Sequence, residues 1–159
     1  VVSNDLDEAS FEVPLIGLVT SPAYQSWAVG AGLNGSTGAQ DDNPARDGLS
    51  NLLKFAFNLS PAVVDLRTLV PGTGSAGLPA AKQEGAGPSS VFRIEFIRRV
   101  GSGISYLPEM SLNMSMWSPF TATPTVTPMG GGWERVVIEE PADPASISKM
   151  FGRVRVTQP

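Results

Sequence analysis

Alternating apolar and charged residues in the second half of the chain limit the fold more than any other sequence feature. In VFRIEFIRR, residues 91–99, Phe92, Ile94 and Phe96 alternate with Arg93 and Glu95, which is the two-residue period of a half-buried strand. Three further segments have strand character and are separated by short turns: GISYLPEMSLNMSMW from 103, WERVVIEE from 133 and MFGRVRVTQP from 150. Together with 17 glycines and 14 prolines, this pattern predicts a mainly β fold, a small antiparallel sandwich of immunoglobulin-like type.

Two short helices are predicted before the sandwich, near residues 22–30 and 48–58. Ser21 is a suitable N-cap for the first, and Pro22 suits its first helical position. The second has leucine or alanine at the i, i+3, i+4 and i+7 spacing of one helical face, and Asp47 or Ser50 would cap it. We expect that face to pack on the sheet against Phe92, Phe96 and Tyr106; its residues are Leu49, Leu52, Leu53 and Ala56.

Residues 1–20 are interpreted as an N-terminal extension, and residues 21–159 as a single β-rich domain. The run FEVPLIGLVT, residues 11–20, is apolar and predicts a strand, which Pro14 restricts to an edge because proline has no backbone donor. The chain starts with Val1 and not with Met, which is consistent with removal of a signal peptide or with a cut boundary.

Residue types missing from the sequence exclude several function classes. The chain has no cysteine and no histidine, so thiolate nucleophiles, Ser–His–Asp triads and ordinary zinc sites are excluded. A net charge of −4 with only 16% charged residues argues against nucleic acid as a partner. No apolar run approaches the roughly 18 residues of a membrane-spanning helix. We therefore expect no enzyme and no membrane span.

The stretch DDNPARDGLSNLLKFAFNLSP, residues 41–61, looks like an acidic metal loop that leads into a helix. With Gly48 at position 6 of a calcium loop, Asn43, Asp47 and Asn51 occupy ligand positions. However, Ala45 stands at position 3 and Lys54 at position 12, where side-chain oxygens are needed. The interpretation is a turn and helix cap with no cofactor; calcium at Asn43, Asp47 and Asn51 stays open as the alternative.

Other polar and aromatic residues offer weaker sites. Carboxylates at Glu95 and Glu109, and at Glu139 and Glu140, would suit a hydrolase if paired, but a solvated face is the favoured interpretation. Trp133 follows the turn MGGG and is a possible sugar contact, whereas Trp27 lies on the apolar face of the predicted first helix. Three N-x-S sequons begin at Asn34, Asn58 and Asn113.

Several separated segments, in order, resemble a C-terminal module of large secreted and surface-anchored bacterial proteins. They are YQSWAVGAGLNG, DGLSNLLKFAFNLSP, RIEFIRR, ISYLPEMSLNMSMW and MFGRVRVT. The module typically has Y-x-x-W, then D-G-L-x-N-L-L-E/K-Y-A-L-G, then Y-x-x-E-x-S-x-x-L-x-x-W, and ends with F-x-R-L-R-V. The resemblance covers about residues 22–157; this chain departs from it at Leu107 and Pro108. It implies a core position for Trp117 and a noncatalytic role at the cell surface or outside the cell.

Three functions from different classes follow as hypotheses. The favoured one is an extracellular structural protein, secreted or on the cell surface, that self-assembles with other copies into a pilus-like filament by N-terminal strand addition. The alternative is a noncatalytic carbohydrate-binding or anchoring module with a polysaccharide partner, and the third is an acid-dependent hydrolase. For the favoured hypothesis, the residues of the assembly strand are Phe11, Val13, Leu15, Ile16 and Leu18.

Overall fold

The computed structural model describes residues 22–142 and 149–158, and these contain two helices and seven strands. The helices are α1 (Pro22–Gly30) and α2 (Asn51–Ala56), and a single 3-10 turn covers Gly87–Ser89. The strands are β1 (Ala80–Glu84), β2 (Val91–Arg99), β3 (Ser105–Ser111), β4 (Ser118–Pro119), β5 (Thr125–Gly130), β6 (Trp133–Pro141) and β7 (Phe151–Thr157). The predicted N-cap Ser21 and the predicted strand at residues 11–20 lie outside the described residues.

The strands form two antiparallel sheets, which confirms the prediction of a mainly β sandwich. One sheet has the order β1-β2-β6-β5 and the other the order β4-β3-β7. The sheets approach closely at Gly152 on β7, where an added Cβ would lie 2.9 Å from the Cβ of Ala81 and 3.2 Å from the ring of Phe92. Gly152 therefore allows a contact between the sheets that a larger residue would push apart.

The core between the sheets consists of apolar side chains from both, closed at one end by α2 and the residues after it. Val154 from β7 points inward as predicted, while Arg153 and Arg155 on the same strand are exposed. The buried members of this cluster are Ala56, Phe57, Leu59, Ile94, Phe96, Val136, Ile138 and Val154.

Helix α2 is shorter than the predicted 48–58. It starts at Asn51 because Gly48 has a left-handed backbone (φ 84°), and Ser50, one of the two predicted caps, accepts a hydrogen bond from the Leu53 amide. It ends at Ala56, and Asn58 then adopts φ 55°. A left-handed residue just after a helix stops it by turning the chain, so here the stop precedes Pro61.

The face of α2 was predicted only in part. Leu53 and Ala56 pack with the sandwich core as expected, and the neighbouring Leu49 does so too. Leu52 is a correction, because it packs in a second cluster formed by Tyr24, Ala28 and Phe55. A six-residue helix wedged between two clusters has two apolar faces, which a single-face pattern does not describe. Phe92, expected against this helix, instead stacks on Phe120 with ring centres 5.9 Å apart.

Side chains from the sandwich bind the carbonyl groups at the C-terminal end of α2. The Arg99 Nε donates to the Phe55 carbonyl at 2.7 Å, and the Tyr106 Oη donates to the Ala56 carbonyl at 3.1 Å. The last carbonyls of a helix have no partner within the helix, so these bonds satisfy them and join the helices to the sandwich.

The outer face of the four-stranded sheet is covered by the turn-rich segment 66–78. Glu95 on that face, expected to be solvated, is only 1% exposed. Its carboxylate accepts from the Gly72 amide at 2.6 Å, from Arg93 at 2.8 Å and from Arg135. Ile97 on the same face is 0% exposed. The strand β2 is thus buried on both sides, not half-buried as the alternation suggests.

Candidate functional site

The acidic loop before α2 is organised around a buried lysine. The Lys54 Nζ lies 2.7 Å from the Asp47 Oδ2, and both side chains are 0% exposed. The ammonium also donates to the Val63 carbonyl at 2.9 Å. Burial alone would raise the pKa of the Asp47 carboxyl, but Lys54 and the amides of Asp65 and Leu49 outweigh it and hold this pKa below its usual value. Lys54 therefore supplies the positive charge that a cation would supply in a metal loop.

The other two residues of the calcium alternative bind the backbone of the loop. The Asn43 Oδ1 accepts from the Asp47 amide at 3.2 Å. The fully buried Asn51 directs its Nδ2 to the carbonyls of Thr37 and Ala39, at 2.7 Å and 2.9 Å. Among the residues that the structure describes, no group of three acidic side chains is arranged to hold a metal ion. The loop geometry matches the predicted turn and cap.

The carboxylates considered for a hydrolase bind arginines or backbone amides. Glu109 on β3 is 6% exposed, a correction to the expected solvated face, and its carboxylate meets Arg153 at 2.8 Å and Arg155 at 3.5 Å. Glu95 belongs to the other sheet. Glu139 is exposed and pairs with Arg93, whereas Glu140 accepts from the amides of Thr121 and Ala122 at 2.9 Å. Each of these carboxylates has a structural partner in place of a reacting group.

The tryptophans do not form a shared aromatic platform in the described part of the chain. Trp133 is half-buried, and the Arg99 Cζ lies 4.2 Å from the centre of its ring. Trp117, expected in the core, is a correction: it is half-buried, belongs to neither described core cluster, and has the Arg153 Cζ 4.0 Å from its ring centre. Trp27 packs on Tyr24 and Phe55, with ring centres 5.6 Å and 5.5 Å away. At least one face of Trp133, the predicted sugar contact, is thus occupied by a guanidinium group.

The three sequon asparagines are all exposed. Asn34 and Asn113 use their side-chain oxygens to accept backbone amides two residues ahead, at 3.2 Å and 2.9 Å, and Asn58 donates to the Ser75 carbonyl at 3.0 Å. These contacts are those of turn residues.

Sheet edges are the remaining places where a partner could bind, and three of the four are obstructed. β5 contains Pro128, which lacks an amide donor, and an irregular register between Pro128 and Gly130. β4 has two residues, one of them Pro119. β1 has five residues, and its exposed Lys82 forms an ion pair with the half-buried Glu84 at 2.5 Å. Prolines, irregular register, short length and charge are the usual protections of an edge.

The fourth edge, β7, lacks three of these protections, namely proline, irregular register and short length, and shares only charged residues with β1. It runs regularly over Phe151–Thr157, pairs along its whole length with β3, and contains no proline. Within the described residues, no backbone hydrogen bond joins β7 to anything other than β3. Its charged residues Arg153 and Arg155 are both engaged by Glu109. The outer edge of β7 thus presents a row of backbone donors and acceptors of the kind that a further strand binds.

An apolar groove of about 460 Å³ lies at the Phe151 end of β7. Its walls include Met110, Leu112, Met116 and Met150, and the exposed Met114 is next to them in sequence. Glu140, held by Thr121 and Ala122, is the only ionisable residue of the described lining. The groove extends the apolar surface at this end of the sandwich.

A second cleft, of about 380 Å³, lies at the opposite end of the same sheet. Its lining includes Arg98, Arg99, Ser105 and Glu134. Ser105 is paired with Thr157, the last residue of β7, so this cleft is next to the C-terminal end of the open edge.

Comparisons with known proteins give no relative for this chain: no family model, curated protein or solved structure matches it. The segments that carry the resemblance to secreted bacterial modules do meet one another in the structure. Tyr24 and Trp27 pack on Phe55, and Glu109 binds Arg153 and Arg155. Neither helix of the described chain is long and apolar enough to cross a membrane.

Sequence reasoning missed both the Arg99 cleft and the open edge of β7. The alternation in GRVRV identifies a strand but not whether that strand has one neighbour or two. The sequence carries no signal for Arg99, because the acid that lies opposite Arg98, Glu134, comes from another strand and its pairing depends on the register of β2 and β6. Both features depend on the order of strands in the sheets.

Proposed function

We propose that this protein is an extracellular structural subunit that assembles by strand addition. In the assembly, residues 11–20 of one copy bind along the outer edge of β7 of the next copy. The observation that carries the proposal is the outer edge of β7, which is seven residues long and regular, and which no backbone group of the described residues binds. The extracellular location comes from the resemblance to modules of secreted bacterial proteins.

The sequence of the proposed donor fits this edge. FEVPLIGLVT has ten residues, enough to pair with all seven residues of β7. Its assembly residues Phe11, Val13, Leu15, Ile16 and Leu18 supply apolar side chains, and main-chain hydrogen bonds would supply the register-independent part of the affinity. Such a contact joins different surfaces on the two copies, so it continues into an open filament unless the rotation closes a ring.

A fold-back within one copy is the rival arrangement. The side chains of Gln40 and Gln158 are hydrogen-bonded, and Tyr24 binds the carbonyls of Gly38 and Ala39, so α1 begins near the Thr157 end of β7. A strand that folds back from Pro22 onto its own β7 would therefore have to run parallel to it. An antiparallel strand would need Ser21 alone to span the length of β7, roughly 20 Å at about 3.3 Å per residue.

Single cysteines test the proposal cleanly because the natural chain has none. Full-length Leu15→Cys and Arg153→Cys, which lie opposite each other when Phe11 is at the Thr157 end of β7, are purified separately, mixed and oxidised at several protein concentrations. Strand addition between copies predicts a disulfide-linked heterodimer in the mixture. A control mixture of Leu15→Cys with Thr127→Cys, which places the thiol on the protected edge β5, should give little product.

Two results would contradict the proposal. One is a double Leu15→Cys/Arg153→Cys chain that closes only an internal disulfide, independent of protein concentration. The other is light scattering in which the full-length protein and a variant lacking residues 1–20 are both monomers. The carbohydrate-binding alternative gains no specific support, since Arg99 and Arg153 contact the rings of Trp133 and Trp117.

A further inference from the structure

Arg99 differs from the other arginines in its ion pairing. All eight arginines lie in the described parts of the chain, and six of them pair with Asp or Glu: Arg67, Arg93, Arg98, Arg135, Arg153 and Arg155. Of the two that pair with no described Asp or Glu, Arg46 is exposed and Arg99 is half-buried. A half-buried cation without a carboxylate partner has lost part of its hydration and gained no counter-charge, so an added anion would stabilise it.

The guanidinium of Arg99 is held in one place by its neighbours. Its Cζ lies 4.3 Å from the centre of the Phe55 ring and 4.2 Å from that of Trp133. Its Nε donates to the Phe55 carbonyl at 2.7 Å. These contacts leave the two Nη groups without a hydrogen bond to any described residue. Because the Arg99 guanidinium is already ordered, little side-chain entropy is lost when a carboxylate binds to it.

The charges around the Arg99 cleft favour an anion. Among its lining residues, Arg98 and Arg99 are positive and Glu134 is negative, so the lining carries a net charge of +1 on a chain of −4. Arg98 already binds Glu134 through its Nε at 2.9 Å and its Nη2 at 2.8 Å. Glu134 is therefore neutralised, and the charge of Arg99 remains.

The acidic residues of the N-terminal extension have the right spacing to reach this cleft. Asp5, Asp7 and Glu8 precede Phe11 by six, four and three residues. Neighbouring strands of a sheet lie about 4.8 Å apart. An added strand beside β7 would therefore lie two such distances, about 10 Å, from Ser105 on β3. Three extended residues cover that distance at about 3.3 Å each.

We propose that the Arg99 cleft binds the acidic lead of a neighbouring copy, Asp5, Asp7 and Glu8, and thereby fixes the added strand antiparallel to β7. This inference rests on the strand addition proposed above. In the antiparallel direction Phe11 lies at the Thr157 end and its lead continues toward Arg99. Asp41 and Asp42 directly follow Gln40, whose side chain is hydrogen-bonded to Gln158 next to the end of β7. Their negative charges repel Asp5, Asp7 and Glu8 from the side of the helices and favour a path of these acids along β3.

The opposite direction has no such partner for the lead. A parallel strand would bring Asp5, Asp7 and Glu8 to the Phe151 end of β7. There the apolar methionine groove has Glu140 in its lining, and Lys149, two residues before Phe151, only balances that charge. The acidic lead thus distinguishes the antiparallel contact from the parallel one that a fold-back within one copy requires.

The test uses the full-length Asp5→Asn/Asp7→Asn/Glu8→Gln chain as receptor, because its own lead no longer competes. A synthetic peptide of residues 1–10 is titrated into it, and the indole N–H signal of Trp133 is followed by NMR. We expect saturable binding that weakens about tenfold, or about 1.4 kcal/mol, when Arg99→Gln is added to the receptor. Arg46→Gln, which removes the same charge elsewhere, should leave binding unchanged.

Three results would overturn the inference. The first is that Arg99→Gln and Arg46→Gln weaken peptide binding equally, and the second is that a peptide with the three acids neutralised binds as tightly as the natural one. The third is that sodium acetate at the same carboxylate concentration shifts the Trp133 signal equally, which would indicate a site for free carboxylates. The peptide reports on the cleft and the cysteine cross-link on the strand, so the two proposals fail separately. When the full-length protein assembles, its assembly should depend on salt concentration, and the chain with the three acids neutralised should lose most of that dependence.

Discussion

Replacing Lys54 with methionine should cost about 3 to 5 kcal/mol of unfolding free energy. The ammonium lies 2.7 Å from Asp47 and 2.9 Å from the Val63 carbonyl, and neither charged side chain is exposed to water. Methionine has nearly the same length and fills the space, so the loss is not that of a cavity. It comes from a buried carboxylate left without its counter-charge, for which about 3 to 5 kcal/mol is typical.

A double-mutant cycle separates this charge effect from packing. Lys54→Met, Asp47→Asn and the double variant are unfolded in urea at pH 7, with tryptophan fluorescence as the signal. Because the double variant buries no charge, it should be more stable than the sum of the single changes predicts, by about 2 kcal/mol or more. A loss below about 1 kcal/mol for Lys54→Met, or additive single changes, would refute the reasoning.

The pH dependence of the unfolding free energy of the same proteins is an independent test of this charge effect. In the natural protein the folded pKa of Asp47 is below the unfolded value of 3.8, so its stabilising contribution is present above that pH and is lost as the pH falls through the folded pKa. In Lys54→Met the strongest group lowering that pKa is gone, while burial still raises it. The stability difference between the two proteins should therefore shrink in acid, and a constant difference from pH 7 to pH 3 would contradict this.

Two further predictions concern the tyrosines and calcium. Burial raises the pKa of both Tyr24 and Tyr106 to about 12, and since the chain has only these two tyrosines, phenolate absorbance should titrate near pH 12 in the folded protein. The stability that comes from keeping both tyrosines neutral is present below pH 10 and lost between pH 10 and 12. A phenolate titration near pH 10 without unfolding would contradict this prediction. Millimolar calcium should not change the melting temperature, because the Lys54 ammonium already neutralises Asp47; a rise of several degrees, reversed by a chelator, would restore the calcium alternative.

The sequence predicts the parts of the fold in which one side of an element faces the core and the other faces water. β7 is such an element, with Val154 inward and Arg153 outward, and Ser50 caps α2 as one of two predicted candidates. β5 was missed for the opposite reason. Its TVTPMG is exposed along nearly its whole length and contains proline, so it shows no apolar alternation, and only its pairing with β6 makes it a strand.

The candidate sites were predicted less well, because charge pairing is a property of the folded arrangement. Glu95 and Arg135 are 40 residues apart and meet under the segment 66–78, so no local pattern identifies Glu95 as buried. The same holds for Arg99, whose ring partners Phe55 and Trp133 come from a helix and from another strand. In contrast, the failure of the calcium template at Ala45 and Lys54 is visible in the loop itself.

The segment 66–78 has the composition of a dispensable linker, yet its position over the sheet restricts how its length can change in evolution. At Gly77 even a single added carbon would lie 2.3 Å from the Leu69 backbone nitrogen, so the two arms of the segment are in contact there. A deletion would remove the Gly72 amide from Glu95, leaving that carboxylate with the arginines alone. An insertion around Pro71 and Thr73 would displace the same amide, although both residues are exposed. The length of the segment should therefore change rarely among descendants of this sequence.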